Sequence, residues 1–262
     1  MEFILYVFAG ALVGFAIGLT GVGGGSLMTP LLLMFGFPAP VAIGTDLLYA
    51  ALTKATGAIS HHRKGNVNWK IVITLASGSI PVAVLLHLFL LKGDFQEGEQ
   101  FEELLTLSLG VMLILTSIIL ISKDKLIDYS LKNKPFFIMG SVHRYKGITT
   151  FIVGALLGLC VTLSSVGAGA FGAAVLLIIY RHSPTVRIIG TDVAHAVPLT
   201  LVAGLGYLFN GYVDGLLLLC LLIGSLPAIH LGAHVSSNVP EKILQKILIT
   251  ILLLLGINYT FF

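Results

Sequence analysis

Charge is what this sequence lacks most. Of its 262 residues, 15 are Lys or Arg and 12 are Asp or Glu, whereas 56% of the residues are hydrophobic. So few charged side chains do not cover the surface of a water-soluble domain, but an apolar surface is expected where lipid replaces water. The mean hydropathy of +1.01 agrees with that environment. The composition therefore predicts a polytopic membrane protein and excludes a soluble globular domain.

Cysteine is nearly absent as well. Cys160 and Cys220 both lie within apolar runs, which indicates core packing rather than a disulfide or a zinc site. His230 and His234 have helical spacing but no Glu between them, so we predict no metal site, and no motif calls for a cofactor. Basic residues sit in short loops without interleaved aromatics, so nucleic acid is not an expected partner.

The apolar runs form two sets. The first set comprises residues 3–20, 27–37, 41–60, 71–91 and 104–121, and the second comprises residues 148–163, 171–180, 188–209, 215–235 and 244–262. A helix needs about 20 residues to cross the hydrocarbon core, so the second run of each set is predicted to be a half-helix or re-entrant element. We expect an all-helical fold with a first repeat at 1–121, a basic cytoplasmic linker at 122–147 and a second repeat at 148–262.

The two sets share motifs at matching positions, which indicates an internal duplication. A glycine cluster precedes each Gly-Thr-Asp motif, at residues 22–26 and 166–170. The motifs that recur are Gly44-Thr45-Asp46 as Gly190-Thr191-Asp192, and Gly78-Ser79-x-Pro81 as Gly224-Ser225-x-Pro227. Chance similarity between apolar helices produces shared Leu and Ile, whereas Gly, Pro, Thr and Asp are rarely interchangeable.

Loop charges predict an orientation in the membrane. Residues 61–64 and the linker at 122–147 are basic, whereas residues 92–103 are acidic. Because Lys and Arg favour cytoplasmic loops, the first two are expected inside and the third outside. The loop at 209–214 matches 61–64 in the duplication but has no Lys or Arg, so we expect it outside. The second repeat is then inverted relative to the first, with both chain ends outside and a substrate site near the midplane.

The glycine clusters are predicted to hold a ligand against the backbone. Unwound backbone at membrane depth is tolerated only where it is buried in protein or lines a cavity. Half-helices starting after Gly25 and Gly169 would aim free N–H groups and positive dipole ends into such a cavity, which favours a small anion. The alternative is helix packing, which we favour for two Gly-xxx-Gly pairs, Gly14/Gly18 and Gly154/Gly158.

Acidic residues inside apolar runs are costly in lipid and usually face a bundle interior or a water-filled path. Asp46 and Asp192 either bind a coupling proton or cation, or cap and tie the broken helices. Tyr49 and His195 lie three residues further on and share the same helix faces. His195 either relays a proton or is a hydrogen-bonded core residue. Lys54 either contacts an anion or snorkels to the cytoplasmic end.

One family combines a Gly-x-Gly-Gly-Gly turn (residues 21–25), a short Pro-containing helix, Gly-Thr-Asp, a basic Gly-Asn-Val-x-Trp loop (residues 65–69) and a Gly-Ser-x-Pro helix. Nearly the whole chain resembles this TauE/SafE sulfite exporter family. The resemblance implies a secondary transporter of sulfite and organosulfonate-type anions in the cytoplasmic membrane. It carries the binding role onto Gly21, Gly23, Gly24, Gly25, Ser26, Thr45, Asp46, Ser164, Ser165, Gly167, Gly169, Thr191 and Asp192.

We therefore expect an exporter of a small sulfur-containing anion, coupled to a proton or ion gradient, with Lys54 among the substrate-binding residues. Its expected partners are the anion, the lipid bilayer and a coupling proton or cation. One alternative is uptake of another small anion or metabolite through the same site. Another is an intramembrane hydrolase that uses Ser164 or Ser165 with His195, although a symmetric duplication does not require an enzyme.

The orientation is testable by labelling single cysteines in a background without Cys160 and Cys220. We expect an impermeant reagent added outside to label a cysteine at position 100 but not at 66 or 133, because the loop charges differ in sign. The same impermeant reagent, applied after permeabilisation, checks that all three positions are reactive. Labelling of positions 66 and 100 from the same side would contradict the orientation.

Overall fold

A computed structural model describes residues 2–20, 25–90, 99–132, 145–236 and 241–261. Within these ranges the chain forms helices joined by short connections and contains no strand, which confirms the all-α prediction. The helices are α1 (Glu2–Thr20), α2 (Gly25–Met34), α3 (Ala39–Arg63), α4 (Trp69–Leu90), α5 (Glu99–Lys132), α6 (Lys146–Ser164), α7 (Ala170–Ile179), α8 (Thr185–Phe209), α9 (Gly215–Ser236) and α10 (Glu241–Phe261).

Helix lengths repeat between the two halves. Both α1 and α6 have 19 residues, α2 and α7 have 10, α3 and α8 have 25, and α4 and α9 have 22. The fifth helices differ, because α5 has 34 residues and continues to Lys132, inside the predicted linker. The rest of that linker before Tyr145 and the acidic residues 91–98 lie outside the described residues.

The helix surfaces suit a bilayer. Five of the described helices, α4, α5, α6, α8 and α9, contain stretches long and apolar enough to cross a membrane. Phe89 and Phe209 are 77% and 83% exposed, which is expected of side chains that contact lipid rather than water. By contrast, α2 and α7 extend only about 15 Å at 1.5 Å per residue. That is about half of a 30 Å hydrocarbon core, as predicted for half-helices.

Glycines let two pairs of helices touch through their backbones. A Cβ atom added at Gly14 of α1 would lie 2.6 Å from the Ser225 Cα of α9, and one at Gly158 of α6 would lie 2.8 Å from the Ser79 Cα of α4. Gly18 and Gly154 make the same kind of close approach. The packing role predicted for the two Gly-xxx-Gly pairs is therefore confirmed, and the two contacts occupy equivalent places in the two halves.

Helices α3 and α8, which are equivalent in the duplication, run antiparallel against each other at the core. Gly44 near the start of α3 packs against Tyr207 near the end of α8, and Gly190 near the start of α8 packs against His61 near the end of α3. Between these ends, Gly204 lies against Leu48. Because glycine has no side chain, the two backbones can approach closely at these three points.

The fifth helices of the two halves also run antiparallel where they touch. Gly110 of α5 lies against Thr260 of α10. Nearer the other end, the Gln245 side chain of α10 donates a hydrogen bond of 2.9 Å to the Leu120 carbonyl of α5. The same antiparallel relation therefore holds for two independent pairs of equivalent helices.

Because α6 and α4 touch through their backbones, replacing two different glycines of α6 by alanine should change the free energy of unfolding by different amounts. Gly158→Ala should destabilise the protein by about 1–3 kcal/mol, because the added methyl group meets the α4 backbone. Gly147→Ala is the matched control, since a Cβ atom there meets nothing within 4 Å. Thermal unfolding in detergent measures both variants, and equal melting temperatures would contradict the packing role.

Candidate functional site

A cluster of buried polar side chains lies between α3 and α8. Asp46 and Tyr49 on α3, and Asp192 and His195 on α8, are each at most 1% exposed. Lys54, two turns beyond Asp46 on α3, is 7% exposed and interacts electrostatically with both carboxylates. The structure thus brings together these five polar residues that the sequence singled out.

Asp46 connects α3 to the first half-helix. The Thr29 hydroxyl of α2 donates a hydrogen bond of 2.5 Å to Oδ2 of Asp46. Ser165 faces the same carboxyl group from the end of α6. Asp46 lies well inside α3, whose N-cap is Pro38, so it does not cap its own helix. Its hydrogen bond instead ties α2 to α3, as one of the two sequence alternatives proposed.

Asp192 occupies the equivalent place in α8 but has a different environment. Neither of its carboxyl oxygens has a hydrogen-bond partner among the described residues. Gly172 of α7 packs directly on the carboxyl group, so that a Cβ atom there would overlap Oδ1. The backbone of Gly169 lies beside it as well. The N-cap of α8 is Pro184, so Asp192 does not cap its own helix either.

Lys54 reaches across to the second glycine cluster. Its ammonium group donates a hydrogen bond of 2.9 Å to the Ala168 carbonyl. The side chain is buried and does not extend to a helix end, so the snorkelling alternative is wrong. An ammonium group has three donors, and the Ala168 oxygen accepts one of them.

The second glycine cluster is an unwound turn between α6 and α7. Ser165, the C-cap of α6, has a φ of 58°, and Gly167 and Gly169 have φ values of 123° and 132°. Glycine adopts such angles readily, whereas a side chain would be strained there. No side chain caps the start of α7. The turn therefore presents bare backbone beside Lys54 and Asp192.

The first glycine cluster is only partly described. Gly21, Gly23 and Gly24 lie outside the described residues, and Gly25 and Ser26 form the first turn of α2 without described side chains. Their role as a ligand cradle remains a prediction.

Two serines missed as site residues complete the cluster. Ser79 of α4 and His195 Nε2 are hydrogen-bonded at 2.8 Å, and Ser225 of α9 faces Tyr49 in the equivalent place. The recurrence of Gly-Ser-x-Pro was the signal that marked both serines. Thr29 was also missed, and it had no such signal because α7 contains neither Ser nor Thr.

The proposed hydrolase residues do not form a nucleophile–base pair. His195 contacts Ser79, while the Ser164 hydroxyl donates to the Cys160 carbonyl at 2.7 Å. Nδ1 of His195 has no hydrogen-bond partner in the described ranges, so no acid there orients the imidazole as a catalytic base requires. This geometry disfavours the hydrolase alternative.

The two threonines of the Gly-Thr-Asp motifs differ in their contacts. The Thr191 hydroxyl donates to the Arg187 carbonyl at 2.6 Å and accepts from the Asn68 N–H at 3.0 Å. The Thr45 hydroxyl is buried and has no partner among the residues described. Thr191 therefore holds the connection between α3 and α4 in place, whereas Thr45 keeps its hydroxyl for another contact.

Comparison with known proteins relates this chain to membrane transporters. The family model described as sulfite exporter TauE/SafE matches residues 6–259. The probable membrane transporter protein YjnA of Bacillus subtilis is 37% identical over 234 residues, which cover 88% of this chain and 89% of YjnA. The probable membrane transporter protein MJ0441 of Methanocaldococcus jannaschii is 28% identical over 258 residues, covering 90% of this chain and 88% of MJ0441. No solved structure matches significantly.

The contact between Thr29 and Asp46 predicts a stability effect. Thr29→Val keeps the side-chain shape but removes the donor, so a buried carboxylate loses a hydrogen bond at a cost of about 1–3 kcal/mol. Thr74→Val is the control, because Thr74 is only half-buried and its hydroxyl donates to the Lys70 carbonyl in its own helix. Thermal unfolding in detergent should show a lower melting temperature for Thr29→Val alone. Equal values would remove Thr29 from the site.

Proposed function

This chain belongs to the TauE/SafE family, and we propose that it is a secondary transporter that exports a small sulfur-containing anion, such as sulfite or an organosulfonate, across the cytoplasmic membrane. The substrate class comes from the family's description as sulfite exporters. The observation that carries the proposal is Lys54, a buried lysine that donates a hydrogen bond to an unwound backbone turn and interacts electrostatically with two carboxyl groups.

The turn and Lys54 together offer what a small anion needs. The start of α7 carries a positive dipole end and free backbone N–H groups. Charge-assisted hydrogen bonds from an ammonium group are among the stronger polar contacts in proteins. Gly167 and Gly169 leave the backbone accessible because they have no side chains. An oxyanion at this turn would bind both to Lys54 and to the backbone of α7.

Inverted repeats give such a site access to both sides of the membrane. Equivalent helices run antiparallel where they touch, as in α3 with α8 and α5 with α10. This relation supports a two-fold axis in the membrane plane, around which alternating access proceeds by movement of one half against the other. We propose a multi-pass protein of the cytoplasmic membrane, with the basic loops inside and both termini outside.

Transport, rather than an enzymatic reaction, is the function that the buried cluster supports. Uptake of another small anion or metabolite through the same site is the runner-up. A reversible carrier supports either direction, and the gradients set which one prevails. The hydrolase alternative is disfavoured by the contacts of His195 described above.

The test is a flux panel in liposomes with sulfite, sulfate, thiosulfate and alkylsulfonates, each with and without a pH gradient. Lys54→Met should reduce flux of every transported anion by about ten- to a hundredfold, because it removes a charged hydrogen bond worth about 1.5–3 kcal/mol. Lys70→Met is the control, since Lys70 lies exposed at the start of α4. No flux of any panel anion, or equal flux in Lys54→Met and wild type, would contradict the proposal.

A further inference from the structure

Asp46 and Asp192 occupy matching positions in the duplication, but their carboxyl groups have different hydrogen-bond partners. Asp46 accepts a hydrogen bond from the Thr29 hydroxyl at 2.5 Å. Both oxygens of Asp192 lack a partner in the part of the chain that the structure describes. The cause lies in the sequence, because α7 spans Ala170–Ile179 without a single hydroxyl side chain.

Three ionisable groups of the cluster determine its net charge. Lys54 carries one positive charge, and Asp46 and Asp192 carry one negative charge each when ionised. A monovalent anion that entered alone would add a further buried negative charge without a partner, which is strongly disfavoured in an apolar interior. If a proton enters with it, the net charge of the cluster is the same as before.

We propose that Asp192 is the proton-binding site of the transport cycle and takes one proton together with one monovalent anion, which binds at Lys54. This inference rests on the proposed transport function and specifies its coupling and substrate charge. The proton moves from water to an oxygen of Asp192, and the neutral carboxyl group no longer competes for the Lys54 ammonium. Proton and anion leave together on the other side, and no covalent bond to the anion forms or breaks.

The groups around Asp192 support this assignment. From α3, Lys54 and Asp46 act on the cluster, and His195 lies one turn further along α8. Helix α7 has no titratable side chain. Tyr49 of α3 also belongs to the cluster, where it faces Ser225 and interacts with Asp46. The other titratable side chains of α3, α4, α6 and α8 have contacts elsewhere or are exposed: His61, His62, Arg63, Lys70, His87, Lys146, Cys160, Arg187 and Tyr207.

Asp46 is the less suitable proton acceptor. Its carboxylate already has a donor in Thr29 and faces a second hydroxyl, that of Ser165. Hydrogen bonds donated to the charged form of a carboxyl group favour that form. Asp46 therefore serves as a permanent counter-charge of Lys54, while Asp192 alternates between charged and neutral states.

The net charge of the cluster also selects the substrate class. With Asp192 neutral and Asp46 ionised, a bound monovalent anion such as hydrogen sulfite or an alkylsulfonate returns the cluster to the net charge that it has when empty, whereas sulfate adds one further buried negative charge. Cotransport of a proton with a monovalent anion moves no net charge. Export then proceeds when the anion is in sufficient excess inside, and uptake is the same cycle run in reverse.

The experiment uses methanesulfonate, whose charge is constant over the working pH range, in liposomes containing the full-length protein. We expect an inward pH gradient to drive its accumulation in wild type, with initial uptake rising by up to about tenfold per unit of external acidification. A membrane potential imposed with potassium and valinomycin should have no effect. Sulfate should not accumulate.

Two substitutions separate the carboxyl groups. Asp192→Asn should lose accumulation driven by the pH gradient, while exchange of labelled for unlabelled methanesulfonate persists and no longer varies with pH. Asp46→Asn is expected to slow flux but to keep the pH dependence, because Asp192 still titrates. The ratio of protons to anions taken up by wild type is a third measurement that needs no variant, and it should be one.

Several outcomes would overturn the inference. These are accumulation driven by membrane potential, anion flux without proton uptake in wild type, or loss of the pH dependence in Asp46→Asn but not in Asp192→Asn. Each of them leaves anion transport itself intact. Absence of flux for methanesulfonate and for every other panel anion would instead refute the transport function on which the inference rests.

Discussion

Three buried charged side chains, Lys54, Asp46 and Asp192, constrain the rest of this structure. Ionised groups in an apolar interior are stable only when partners of opposite charge or hydrogen-bond partners surround them. The fold supplies these partners from both halves: Thr29 from α2, Ser165 from the end of α6 and the Ala168 carbonyl from the unwound turn. To bring them within reach, α3 and α8 must lie close together, and glycines at their contact points make that approach possible.

The duplication allowed much of the fold and site to be predicted. Recurring motifs marked Asp46, Asp192, Tyr49 and His195, and their common location follows because equivalent helices meet at a shared interface. Hydropathy located the helices but not all their ends. For example, α5 continues to Lys132, because a helix that leaves the membrane becomes polar and the hydrophobic signal ends before the helix does. The short second runs form ten-residue helices, α2 and α7, and their role as half-helices or re-entrant elements stays a prediction.

What the duplication could not reveal are the contacts present in only one half. Thr29 has no hydroxyl counterpart in α7, and Lys54 corresponds to Thr200, whose own hydroxyl donates within its helix to Ala196. Such residues leave no repeated signal in the sequence, because each occurs in only one of the two halves. Their partners depend on the distance between segments far apart in the chain, such as Lys54 and Ala168, which only the three-dimensional arrangement provides.

Thr29 of α2 has no hydroxyl counterpart in α7, and this difference affects the relative free energies of the two conformations in the proposed transport cycle. Two identical inverted halves would make the inward-open and outward-open conformations mirror one another, with equal free energies and equal lifetimes. Here the Thr29 hydroxyl ties α2 to Asp46, whereas among the described residues no hydrogen bond ties α7 to Asp192. In the proposed transport cycle the two conformations would therefore differ in free energy, and the empty transporter would favour one of them.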